Sequence, residues 1–346
     1  MIDFRYHLVS IVAVFLALAI GIVLGSTELR GNTLELLQSS SNSLKNQLNA
    51  VSAQRDGYQA QANAAEQYLQ TTEPRLLAGL LDGDRVVIVT EPGAPGQVVD
   101  GVKRAAAAAG ATVTGQVALQ PKFNDLSGAT QSSLGSINSS IASTDATVLA
   151  EADDPRTSYQ QQAAQLIATA ILDKTAGDAG LTTASAQTLL SAYAQAGYLT
   201  VSGAPTDRAT LAVIVTPQAA PADGPNDPVN RALLAVAQQF ADASAATLVA
   251  GAAAGSAQAG SAISVLRSSS VSGQVSSVDN ADTALGQISV AEALAMQIAG
   301  GKPNSYGLYG ASAVSPVPLP SSTATATAIP TAAAHPKATG KGVKKT

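Results

Sequence analysis

The chain has no Cys and no Trp in 346 residues, only two His and two Met, and only four Phe. The absence of Cys excludes disulfides, thiolate metal sites and Cys nucleophiles together. The two His are His7 and His335, so the region between residues 80 and 310 has no imidazole. That removes Ser-His-Asp triads, HExxH zinc sites and His general bases from the central region. Charge is also scarce: 12% of residues, with 19 Lys+Arg against 24 Asp+Glu and a net charge of -5. A nucleic-acid partner is not expected, because it would call for a basic face. Alanine fills much of the remaining space, with 69 copies.

Long apolar runs are the exception to this thin inventory. Leu8 to Leu24 reads LVSIVAVFLALAIGIVL, without a charge. At helical rise it spans roughly 26 Å, slightly less than a hydrocarbon core of about 30 Å. Tyr6, His7, Ser26 and Thr27 can complete the span at the interfaces. We read residues 1–7 as a flank and 8–25 as a transmembrane helix carried by Leu8, Val12, Phe15, Leu16, Ile20 and Leu24. A cleaved signal peptide is the competing reading, with Arg5 as a thin positive region; against it, no A-x-A-like site follows. Arg5 and Arg30 nearly balance the positive-inside count. The layout of a first lone segment before a long domain favours a cell-membrane anchor with the body on the extracytoplasmic (periplasmic) side.

A heptad pattern follows over 32–78. With Leu34 at position a, the a/d positions are Leu34, Leu37, Ser41, Leu44, Leu48, Val51, Arg55, Tyr58, Ala62, Ala65, Leu69, Thr72 and Leu76. Ten of these thirteen are apolar, between positions rich in Gln, Asn, Ser and Ala. This spacing predicts a coiled coil about 65 Å long. Ser41 and Arg55 at a positions cost stability and can set register or partner number. Gly57 weakens the middle, and Pro74 is expected to end or kink the rod. The bland alternative is one amphipathic helix lying on the body. A homo-oligomer or a partner coiled-coil protein is expected either way.

Residues 82–310 read as an α/β domain. Arg85–Thr90 (RVVIVT) is a short β-branched run bounded by Gly and Pro, as a buried parallel strand requires. Gly96–Ala109 reads as a helix closed by Gly110, and Ala111–Leu119 as a second strand, making one crossover unit. A weakly patterned stretch follows. Helices are then expected at Thr157–Leu172, Thr183–Ala196, Pro228–Ala243 and about Asp282–Ala299, the last with Asp282 as N-cap. Strands are expected at Tyr198–Ser202, Leu211–Thr216, Ala246–Ala250 and Val275–Val278. This alternation predicts a Rossmann-like, doubly wound sheet.

Chemistry-bearing motifs are weak. The loop Glu91-Pro-Gly-Ala-Pro-Gly96 follows the first strand, where such folds bind ligands. It lacks both G-x-G-x-x-G spacing and a P-loop Lys-Ser/Thr pair, and its prolines remove amides that would hold phosphate. Asp279 and Asp282 could together hold a hard cation, or form an Asx turn and a helix cap. Asp153-Asp154-Pro155 reads as a turn. No catalytic, cofactor-binding or metal residue is assigned, and no enzyme is expected. From 311 to 346 the chain becomes a Pro/Ala/Thr-rich tail without acids. It would either lie against anionic polymer or lipid head groups or simply stay solvated.

Two stretches carry a resemblance. The opening MIDFRYHLVSIVAVFLALAIGIVLGS and the later VDNADTALGQISVAEALAMQIA, with Tyr306-Gly-Leu-Tyr-Gly310 beyond it, resemble the mycobacterial copper-transport protein B (MctB) family. That family includes the corynebacterial SteB type. The resemblance covers about 1–310. It implies a membrane-associated envelope protein tied to copper efflux and homeostasis. The SteB branch implies instead a non-catalytic periplasmic coiled-coil protein that works with a membrane partner, SteA, in cell division and envelope assembly.

Copper is implied by the resemblance alone. Cu(I) favours thiolate, thioether or imidazole ligands. Here the soft groups are His7 at the membrane flank, His335 in the tail, Met1 and Met296. A single helical span also forms no conducting path by itself.

Overall fold

A computed structural model describes residues 4–145, 158–175 and 180–316 of the chain, with the backbone alone at 4–5, 26–36, 145 and 225. The Asp153-Asp154-Pro155 turn and the tail from 317 onward lie outside the described residues.

The anchor and the heptad segment form one helix, α1 (Phe4–Leu77, 74 residues). It runs through Pro74, which neither ends it nor stops its last turn from forming. Proline lacks only one backbone donor here, and the helix closes three residues later. The chain divides into two compact units, 1–68 and 69–346. In the second, the final turns of α1 bury Leu77 and Glu73, with Leu69 partly buried against the core.

The second unit is a seven-stranded sheet in the order β3-β2-β1-β4-β5-β6-β7. Its strands are β1 (Arg85–Thr90), β2 (Thr112–Leu119), β3 (Leu199–Gly203), β4 (Leu211–Val215), β5 (Ala246–Ala250), β6 (Ser276–Val278) and β7 (Ser305–Tyr306). Only β3 is antiparallel to its neighbour, β2; the other pairs are parallel. The direction of strand addition reverses between β1 and β4, as in doubly wound sheets. The helices are α2 (Gly96–Ala108), α3 (Gly128–Asp145), α4 (Ser158–Ile171), α5 (Thr183–Gln195), α6 (Pro228–Ala243), α7 (Ala253–Ser256), α8 (Ala262–Ser268) and α9 (Ala284–Ile298).

Strand alternation divides the core in two. Val87 and Val89, Val117, Ile214 and Val249 pack with Leu166 and Ile167 of α4, Leu189 of α5 and Phe240 of α6. Val86 and Ile88, Val213, Leu248 and Val278 face the other way, with Val98 and Val102 of α2 and Leu294 of α9. Successive residues of β1 thus serve opposite layers, so both faces must be apolar. This is why RVVIVT is legible as a buried run.

The weakly patterned stretch holds α3. Its apolar stripe is only Leu134, Ile137 and Ile141 amid Ser, Gly and Asn. Asp125 tethers its start, accepting from the Ser127 N–H at 2.8 Å and the Thr130 hydroxyl at 2.7 Å. These bonds hold the Asp125 carboxyl below its ordinary range. Inside the layer, Tyr193 donates to Asn138 Oδ1 at 2.7 Å.

Candidate functional site

Two surfaces and one buried cluster account for the residues singled out from the sequence. The first surface is the apolar start of α1. Tyr6–Gly25 is long and apolar enough to cross a membrane by length and composition. Leu8, Val12, Phe15, Leu16, Ile20 and Leu24 are all more than half exposed, from 52% to 66%. Such a continuous apolar girdle in water would be costly, at about 25 cal/mol per Å².

The second surface is the heptad row on the same helix. Leu37, Leu44, Leu48, Val51 and Tyr58 are 60–68% exposed, and Ala62 and Ala65 are exposed as well. Leu34 lies where the backbone alone is described. Among the a/d interruptions, Arg55 is drawn onto neighbouring Asp56 at 2.7 Å, with both side chains exposed. Near the body the row ends differently from a simple seam: Leu69 is partly buried, and Leu77 rather than Leu76 enters the core.

The buried cluster is built on Asp279, just past β6. Its side chain is fully buried, and Arg267 of α8 reaches it at 2.8 Å. The Leu308 and Tyr309 N–H groups donate to its two oxygens at 2.7 and 2.9 Å. Arg267 also donates to the Tyr306 carbonyl at 2.8 Å and through Nε to Ser277 Oγ at 2.9 Å. Gly307 sits at φ +127, and a Cβ there would collide with the Asp279 carboxylate. The segment Tyr306-Gly-Leu-Tyr309 is therefore held at the end of β6 by two amides donated to Asp279 and by Arg267, which pairs with Asp279 and donates to the Tyr306 carbonyl. Asp279 has its charge and its lone pairs already engaged.

Asp282 does something else. It accepts from the Ala253 N–H at 2.8 Å, joining the start of α7 to the loop before α9. It is not the N-cap of α9: Thr283 holds that place and accepts from the Gly286 N–H at 3.1 Å. The two carboxylates thus serve separate partners. Among the described residues, no three His, Cys, Asp or Glu side chains group closely enough to hold a metal ion.

At the reversal point of the sheet, the loop Glu91–Gly96 leads from β1 into α2, whose N-cap Pro95 offers no side-chain bond. Glu91 is buried, and neither carboxyl oxygen has a hydrogen-bond partner among the described residues. Burial pushes its pKa up to about 8. Sequence reasoning noticed this loop for its glycines and prolines and missed the carboxyl. The signal that was available is a Glu directly following a fully apolar strand.

Comparison with known proteins supplies the family. A profile described as "Copper transport outer membrane protein, MctB" matches residues 1–318. The chain belongs to the MctB family. It is 33% identical over 321 residues to "Copper transporter MctB" of Mycobacterium tuberculosis (strain ATCC 25618 / H37Rv), covering 91% of this chain and 99% of that protein. It is 30% identical over 325 residues to "Copper transporter MctB" of Mycobacterium leprae (strain TN), with the same coverage of each. The MctB match therefore takes in α1 and the whole sheet domain. The Val278–Ala299 and Tyr306–Gly310 motifs of the MctB resemblance include Asp279 and the segment it holds, which gives them a packing role in this chain.

Proposed function

We propose that the chain is a membrane-anchored, non-catalytic envelope scaffold. It assembles through the heptad row of α1 and supports copper handling with partner proteins. The observation that carries this reading is the row from Leu37 to Tyr58, exposed along a helix that is continuous with the apolar span. Leu and Val repeated at a/d spacing leave water when a second helix lies against them. The α/β domain is the rigid body the helix displays, outside the cytoplasm.

The relatives are named copper transporters, and copper is the cargo this family name implies. The soft-ligand inventory of the chain is too small for a dedicated Cu(I) site of its own. Partner subunits would carry the missing ligands. Work with a SteA-like membrane partner in cell division is the second reading, favoured by the same exposed row.

The test is the mass of the detergent-solubilised full-length chain and of its Leu44→Asp/Leu48→Asp variant. A buried charge at a and d has no partner in the interface. The variant should fall to a smaller assembly or lose its partner. Unchanged mass and unchanged co-purifying proteins would refute the coil.

A further inference from the structure

We propose that the open edge of the sheet, strand β3, pairs antiparallel with β3 of a second copy of this chain, making one sheet across two bodies. The two ends of the sheet are treated differently. At β7 the chain covers its own edge: the Gly307 N–H donates to Ala313 O, and the Ser312 N–H to Ser305 O, each at 3.0 Å. At β3 nothing described covers the edge.

The pattern of free groups follows from the register. β3 pairs with β2 as Leu199↔Leu119, Val201↔Val117 and Gly203↔Gly115. The Gln120 N–H bonds the Tyr198 carbonyl, and the Ala204 N–H bonds the Thr114 carbonyl. In an antiparallel ladder bonded residues alternate, so the even-numbered residues of β3 face β2. Leu199 and Val201 therefore turn their N–H and C=O groups outward, and Gly203 leaves the extended strand at φ +74. A two-fold axis through Val201 sets Val201 against its own copy, so that this central pair exchanges both of its backbone bonds, with Leu199 beside Gly203 on either side. The edge is self-complementary.

Edges that must stay unpaired normally carry Lys, Pro or a bulge. β3 is LTVSG, with no Lys or Pro within it, and its irregularity is confined to the last residue, Gly203 at φ +74. The 26 residues from Leu181 to Thr206, which hold α5 and β3, carry no charge, in a chain whose body is otherwise acidic. Between them runs a groove of about 440 Å³, bordered by Leu190, Ala194, Leu199, Val201 and Pro205. Val201 is 40% exposed there. Asp207 is the one ionisable side chain in the lining of the groove. The second copy's Val201 thus comes against the Leu199 and Val201 side of this groove, where no Lys or Arg is found.

The absence of Cys makes the test direct. In the full-length chain in its membrane, Val201→Cys is exposed to mild oxidation and to a short bis-maleimide. Directly paired bonded residues stand about 5.5 Å apart at Cα, within disulfide reach. Thr200→Cys is the control, because it faces Ser202 of the other copy and not itself. The expected result is at least tenfold more cross-linked dimer for Val201→Cys than for Thr200→Cys, and loss of pairing when Ser202→Lys is added to Val201→Cys. Equal cross-linking of both single cysteines, or none at either, overturns the proposal. Repeating Val201→Cys with Leu44→Asp/Leu48→Asp separates it from the coil: edge pairing persists at reduced yield if only the coil fails. Circular dichroism of each variant confirms that the sheet domain is folded.

Discussion

Replacing Glu91 with Gln removes the ionisable group from a carboxyl that burial holds in its neutral form. Its pKa rises from 4.5 to about 8 on folding. A carboxyl with a raised folded pKa stabilises nothing in its ionised form: the native state is unpenalised below pH 4.5 and loses stability as pH climbs toward 8. Each pKa unit corresponds to 1.36 kcal/mol, so the penalty at pH 7 is about 3 kcal/mol. Glutamine has the same shape and cannot ionise. Glu91→Gln should exceed the parent by under about 1 kcal/mol near pH 5 and by about 3 kcal/mol at pH 7. For a domain of this size that corresponds to roughly 6–12 °C in Tm. Thermal unfolding of the detergent-solubilised full-length chain, followed from pH 5 to 8.5, reads both numbers. Parallel pH curves for parent and variant would refute the reasoning, because they would mean that Glu91 is solvated or paired.

Three further outcomes follow from the same geometry. Asp279→Asn should destabilise the sheet domain by about 3–5 kcal/mol, since it leaves Arg267 buried without its counter-charge; Asp282→Asn should cost under about 1 kcal/mol, and denaturant midpoints compare the two. Thr283→Ala, which removes the α9 cap, should cost about 1 kcal/mol in the same assay. Leu16→Arg places a charge mid-span at a cost of about 3 kcal/mol to insertion, so the membrane-bound fraction on cell fractionation should fall, whereas Leu37→Arg should leave it unchanged.

How much was legible in the sequence depended on how local each cause was. Arg85–Thr90, Ala246–Ala250 and Pro228–Ala243 coincide with β1, β5 and α6, because full burial and a Pro start are written into contiguous residues. Helix α3 escaped, its stripe being three residues diluted by Ser and Gly. The cap of α9 was misplaced by one residue, since Asp282 and Thr283 are both good caps and only the contact with Ala253 decides between them. The Arg267–Asp279 pair joins residues 12 apart to amides 29 and 30 positions further on, a closure no local pattern announces. The antiparallel course of β3 was equally hidden, because it depends on how α3, α4 and α5 return the chain to the sheet edge.

The most direct test of the scaffold account is total cell copper under copper load in a strain lacking this chain. Complementation would use the intact gene or the Leu44→Asp/Leu48→Asp form. The account predicts that copper rises on deletion, falls back with the intact chain, and stays high with the seam variant although that variant reaches the membrane. Full restoration by the seam variant would contradict it.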